Sequence, residues 1–204
     1  MDKYTKLYYS KGYKVIAGID EAGRGPLAGP VFASVVILPE NHSIVGLADS
    51  KKLTEKKREE LFKQIIEKAV DYSVASSSEA EIDEINILQA TFLAMKRALK
   101  KLKIKPEIIL IDGNRGPEID IPMECIVKGD SLVESISAAS ILAKVSRDKF
   151  ITELSKQYPQ YGLEKHKGYG TKMHYEAIKK YGISKIHRKT FLKKIIGKEC
   201  WLWI

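Results

Sequence analysis

The run Ile108-Ile109-Leu110-Ile111 constrains the fold more than any other stretch: four large apolar residues in a row, ended at once by Asp112-Gly113. A strand with one wet face alternates apolar and polar side chains. A short unbroken apolar run therefore predicts a strand in a sheet covered on both faces. Lys14 to Ile19 and Val31 to Leu38 are rich in β-branched residues and bounded by Gly or Pro, which predicts two more strands. The connection between them is long enough for an antiparallel pair with a functional loop. Tyr72–Ser76 and Cys125–Val127 are read as further strands.

Helical signals alternate with these runs. Thr54 is placed to N-cap a helix through Val70, with Leu61, Phe62, Ile65, Ile66 and Ala69 as its buried face. Asn86 and Gln89 resemble a capping box opening a second helix, whose stripe of Leu88, Phe92, Met95, Leu99 and Leu102 is core packing, ended by Pro106. Ser131 and Glu134 predict a capping box for a long helix reaching Tyr158. The small residues Ser137-Ala138-Ala139-Ser140 and Ala143 in its early turns let a backbone lie close against a sheet. A last helix is expected from Thr171 to Tyr181, followed by a basic tail. The order predicts an α/β fold, a mixed β-sheet flanked by helices.

At 204 residues the chain is expected to be a single domain, 1–204, with a core over about 13–160 and a basic C-terminal extension over about 161–204. No apolar run approaches a membrane span, and Met1 to Lys14 has no apolar signal core, so neither a membrane nor export is expected. Cys125 and Cys200 lack metal-ligand spacing, which fits a reducing cytoplasm. Of the net charge of +9, residues 161–204 carry +8, from eleven Lys/Arg against three acids. A nearly neutral body with a basic C-terminal segment suits a phosphate backbone as partner; a lysine-rich solvated surface is the alternative.

Asp20, Glu21, Asp112 and Asp130 share one arrangement: each lies at or just past the end of an apolar run, next to or near glycine. Singly, Asp112-Gly113 reads as a turn and Asp130 as a helix N-terminal acid. If the strand ends are neighbours, the carboxylates converge, and their repulsion would be offset by a cation. An all-oxygen set selects magnesium or manganese, and two such ions suit phosphodiester cleavage. His42, in a polar loop, is expected to be solvated. His166, His174 and His187, in the basic segment, are expected to contact phosphate or to pack rather than to ligate zinc.

Several ordered motifs resemble the type 2 ribonucleases H, in particular bacterial ribonuclease HII: Asp20-Glu21-Ala22-Gly23-Arg24-Gly25-Pro26-Leu27-Ala28-Gly29-Pro30-Val31, then Ile111-Asp112-Gly113-Asn114. Lys128-Gly129-Asp130, Ser137 to Val145 with Arg147-Asp148, His166-Lys167-Gly168-Tyr169-Gly170-Thr171 and His187-Arg188 continue the match over about Tyr13 to Phe191. The resemblance implies a ribonuclease H-like fold with a helical basic C-terminal extension. It implies cleavage of RNA/DNA hybrids and of single ribonucleotides in duplex DNA, 5′ of the ribonucleotide, leaving 3′-hydroxyl and 5′-phosphate ends. Asp20, Glu21, Asp112 and Asp130 would be the catalytic ligands of two Mg2+ or Mn2+ ions. Gly23-Arg24-Gly25 would contact the 2′-hydroxyl, Tyr169 would stack on the sugar just 3′ of it, and Lys51 would lie near substrate phosphates. Arg24 as a surface salt bridge, Tyr169 as a loop aromatic and Lys51 as a solvated lysine are the alternatives. A monomer is expected, with no replication or repair partner assigned. A different two-metal nuclease, or a basic binding protein whose acids only form turns, would share parts of this pattern.

Overall fold

The computed structural model describes residues 1–47 and 53–196. Five strands form one sheet: β1 (Ile16–Ala22), β2 (Val31–Ile37), β3 (Asp71–Ser77), β4 (Ile108–Asp112) and β5 (Met123–Ile126), in the order β3-β2-β1-β4-β5. The β1–β2 and β2–β3 pairs are antiparallel, and the β1–β4 and β4–β5 pairs are parallel. β1 is thus the central strand, antiparallel to one neighbour and parallel to the other.

The expected two-sided burial is observed and follows the period of two. Ala17, Ile19, Val35, Ile109 and Ile111 face one side, where they pack on Ala94, Met95 and Ala98 of α3 (Glu79–Lys101). On the other side Ile16, Ile108 and Leu110 meet Ile136 of α4 (Glu134–Gln157), and Val36 meets Ala138, Ile141 and Leu142 of the same helix. The first turn of α4 lies directly on β1: a Cβ at Gly18 would stand 2.2 Å from the Ser135 carbonyl carbon. Small residues on α4 and glycine on β1 together permit this approach. It brings Ser140 level with the end of β1.

Helix α2 (Glu55–Lys68) begins as expected, with the Thr54 side chain accepting from Lys57 N–H (3.3 Å). Leu61 and Ile65 are buried, but Ile66 is exposed, because the helix meets its neighbours along a narrower stripe than the apolar positions suggest. Helix α3 starts earlier than expected. Ser78 and Glu81 form its capping box, and Asn86 (φ 65°) kinks it, its Oδ1 accepting from Leu88 and Gln89 N–H (3.0 and 3.2 Å). The cap at Asn86 is therefore real but internal.

The capping box at Ser131 and Glu134 does not form. Ser131 belongs to a 3-10 turn over Gly129–Ser131, and Val133 is the residue before the helix, with no side-chain cap. A distant residue fills the role. Asp2, which caps α1 (Lys3–Ser10), also accepts from Glu134 N–H (3.1 Å). The expected solvation of His42 is not observed either; its ring is largely covered and stands 3.3 Å from Glu134.

The basic C-terminal segment is helical, with α5 (Leu163–His166), α6 (Lys172–Tyr181) and α7 (Lys189–Ile196). Its apolar side forms a cluster of Tyr161, Leu163, Ala177, Ile178, Ile186 and Leu192 with Ile151 of α4 and with Leu27 and Ala28 of the β1–β2 connection. That connection is the glycine-rich loop, so the extension is built around it.

Candidate active site

Two of the acids are brought together by strand register. Ile19 of β1 pairs with Ile111 of β4 in parallel, so Asp20 and Asp112 follow side by side at the carboxyl ends of adjacent strands. Side chains alternate along a strand, so both project to the α4 face. Glu21 is the last acid of β1, with only 16% of its side chain exposed. Asp130 arrives from a turn in which Lys128 holds a left-handed conformation (φ 59°). It is 1% exposed, and its N–H points at Asp112 Oδ1 at 3.4 Å.

The electrostatics agree with a crowded site. Burial, then the Glu21 charge, push the Asp20 carboxyl well above the usual carboxylate range. A Ser140 hydroxyl bond opposes this, and Asp112 adds to it. Burial also raises Glu21, against the Arg24 guanidinium, whose Nη1 lies 3.2 Å from Glu21 Oε1. Burial first, and neighbouring acid charge with it, hold these carboxyls back from ionising, a penalty that a bound cation would offset. Only oxygen donors meet here, the set that magnesium and manganese take. Among the described residues no three His, Cys, Asp or Glu side chains stand close enough together to hold a metal ion by themselves. Water or substrate oxygens would complete the coordination, as hard cations that keep several waters permit.

Beside the acids, the loop from Gly23 to Pro30 is fixed by two buried arginines that the sequence reading gave no role. Arg188 donates from Nε to Gly29 O (2.9 Å), from Nη1 to Arg24 O (2.8 Å) and from Nη2 to Gly23 O (2.6 Å). Arg147 donates to the carbonyls of Pro30, Ala28 and Lys167 at 3.0–3.2 Å. Burial lowers both, and with the Arg147 charge beside it Arg188 falls to about 9. Gly23 (φ +94°) is required, since a Cβ would lie 2.0 Å from Arg147 Nε. The loop in turn holds the C-terminal segment: Leu27 N–H donates to Gly168 O, Arg188 N–H to Leu27 O and Gly29 N–H to Ile186 O, at 2.8–2.9 Å.

This docking puts Tyr169, 44% exposed, against the loop, its Cε1 3.6 Å from a Cβ built at Gly25. Tyr169 closes an open cleft of about 350 Å3 with Glu21, Ala22, Gly23, Ser140, Ile141 and the cations Arg58 and Lys144. Arg58 and Lys144 were not singled out from sequence; one lies among many helical cations, and only the fold turns it inward. Arg24 is half-exposed and paired with Glu21, the surface salt bridge that was one of its two readings. Lys51 lies outside the described residues.

The family model described as Ribonuclease HII matches residues 17–194. The chain belongs to the ribonuclease HII family. The ribonuclease HII of Caldicellulosiruptor bescii is 56% identical over 92% of this chain and 91% of its own. That of Endomicrobium trichonymphae is 60% identical over 92% and 90%. The crystal structure of ribonuclease H2 from Pyrococcus horikoshii superposes with a TM-score of 0.72 at 34% identity, covering 86% of this chain and 93% of that one. As a member of that family, the chain is a hydrolase of the endoribonuclease class, and its sheet and flanking helices have the ribonuclease H-like architecture expected.

The histidines of the C-terminal segment pack; His174 and His187 are 0% and 2% exposed. Burial first, then His174, lowers His187 from 6.5 to about 4. A histidine depressed on folding contributes stability that is whole above its unfolded value and is lost as pH falls through the folded one. Acidifying from pH 6.5 toward 4 should therefore cost about 3 kcal/mol through His187. Thermal denaturation against pH should show this slope flattened in His187→Asn; parallel profiles for the two proteins would contradict it.

Proposed function

We propose that the chain cleaves the RNA strand of RNA/DNA hybrids, and single ribonucleotides embedded in duplex DNA, on the 5′ side of the ribonucleotide. The ends left are a 3′-hydroxyl and a 5′-phosphate. It acts as a monomeric, single-domain enzyme in the cytoplasm. Among the described residues no helix is long and apolar enough to cross a membrane. The observation that carries the reading is the register that sets Asp20 beside Asp112, with Glu21 adjoining and Asp130 N–H on Asp112, against an arginine-braced glycine loop.

Asp20, Glu21, Asp112 and Asp130 would hold two Mg2+ or Mn2+ ions, which when bound supply Lewis acidity and a water acidified for attack. The chain's own residues do the selecting. The backbone of Gly23-Arg24-Gly25, held still from behind by Arg188, meets the ribose 2′-hydroxyl, the group that separates RNA from DNA. The Tyr169 ring stacks on the next sugar. Arg58 and Lys144 give the cleft the positive lining that a phosphate backbone requires. Lys51 is assigned to the same phosphates on the sequence resemblance alone.

The deciding experiment is a DNA duplex containing one ribonucleotide, incubated with and without magnesium, with the cut mapped to the nucleotide. Magnesium-dependent cutting 5′ of the ribonucleotide is expected, and equal cutting of an all-DNA duplex would overturn the reading. On the same duplex, Tyr169→Ala should lose ~1–3 kcal/mol of transition-state stabilisation, the value of an aromatic stack. An unchanged kcat/KM would remove Tyr169 from the substrate site.

A further inference from the structure

The buried pair His174 and His187 lies between the tail segment and Tyr169, and its contacts admit one arrangement of protons. Ser184 N–H donates to His187 Nδ1 (3.0 Å). A backbone N–H can only donate, so His187 Nδ1 is bare and the neutral ring carries its proton on Nε2. That nitrogen faces His174 Nε2 at 3.2 Å. Of two facing ring nitrogens one must accept, so the His174 proton sits on Nδ1. His174 Nδ1 in turn lies 2.9 Å from the Tyr169 carbonyl, which can only accept. Both ends of the chain are backbone groups of fixed polarity, so its direction cannot reverse.

We infer that His174 and His187 form a one-way hydrogen-bond relay from Ser184 N–H to Tyr169 C=O, and that they are positioning residues for the Tyr169 ring. Tyr169 needs such support. Its ring is 44% exposed, and its orientation is set through its backbone: its N–H donates to His166 O (2.9 Å), and its carbonyl also receives Thr171 N–H (2.9 Å). His166, stacked on His174 at 4.5 Å, and Tyr161, edge-on to His187 at 4.7 Å, keep the two rings from turning. Burial disfavours the charged form of both rings, as a relay of neutral imidazoles needs. A cationic His174 would set two N–H groups head to head with His187.

The functional half of this inference rests on the stacking role proposed for Tyr169, whereas the relay does not. Histidine 15N NMR of the full chain at neutral pH reads the relay directly: His187 protonated on Nε2 and His174 on Nδ1. The opposite tautomer on either ring, or an imidazolium, would overturn the proposal. Kinetics on the single-ribonucleotide duplex read its consequence. His174→Gln puts its amide at the ε position, abandoning the Tyr169 carbonyl, and kcat should fall on the order of tenfold, as a small misplacement of a binding group does. His174→Asn puts an amide N–H near the lost Nδ1–H and should recover most of that loss. Equal rates for the two variants would overturn the positioning role. In a Tyr169→Ala background His174→Gln should cost nothing further, and an additive loss would overturn it too. Parental activity in Tyr169→Ala alone would instead sink the stacking role and leave an NMR-detected relay standing.

Discussion

Asp112→Asn is expected to lower magnesium-dependent cleavage by at least about a thousandfold while leaving the fold in place. Asparagine is isosteric with aspartate. The amide keeps an oxygen that can accept Asp130 N–H, so the 3.4 Å contact tying the Gly129–Ser131 turn to the end of β4 has a replacement. Only the charge is removed. That charge is what Asp20 and Glu21 both feel through the strand register, and without it the remaining acids hold a cation poorly. Two measurements belong together. Initial rates on the single-ribonucleotide duplex report the loss of cleavage. Thermal denaturation with and without magnesium should show the parent gaining stability on adding the ion and the variant gaining less. Near-parental cleavage by Asp112→Asn would remove this residue from the chemistry.

Arg188→Met is expected to be the most damaging change to the structure around the site. The guanidinium is 0% exposed and satisfies the carbonyls of Gly23, Arg24 and Gly29. Methionine fills part of the volume but donates nothing, so three loop carbonyls lose their donor in a place water reaches poorly. Buried polar groups stripped of partners cost ~1–3 kcal/mol each; allowing for some relaxation, a loss of about 3–5 kcal/mol of stability follows. Denaturant unfolding measures it. In whatever fraction folds, KM for the ribonucleotide duplex should rise, because the loop that meets the 2′-hydroxyl is no longer held. Unfolding within about 1 kcal/mol of the parent, with unchanged KM, would show that Arg147 and the backbone suffice to brace the loop.

Both predictions concern groups whose visibility in the sequence differed. The acids were legible because each follows a β-branched run and glycine lies near each, a local signature that survives without knowledge of the partner strand. Arg147 and Arg188 were present in the recognised motifs, yet no role followed. Their partners are backbone carbonyls, and a carbonyl carries no residue identity to search for. The same reason hid the cap on α4: Ser131 and Glu134 had the right spacing, but the N–H of Glu134 is served by Asp2 from the far end of the chain. The histidines left two alternatives open in sequence, phosphate contact or packing, and burial decided for packing.

By itself the sequence determined that these strands exist, where they lie to within a few residues and which acids stand near their ends, although β1 runs on through Asp20 and Glu21 to Ala22, because hydrophobic period and turn chemistry act over a few residues at a time. Only the tertiary structure decided that β1 and β4 run parallel with Ile19 opposite Ile111, which makes Asp20 and Asp112 neighbours. It also decided that the basic C-terminal segment wraps the glycine loop instead of trailing from the domain. The physical reason is the same in both cases: pairing partners and backbone acceptors are chosen by how whole elements pack, a choice that no short stretch of side chains encodes.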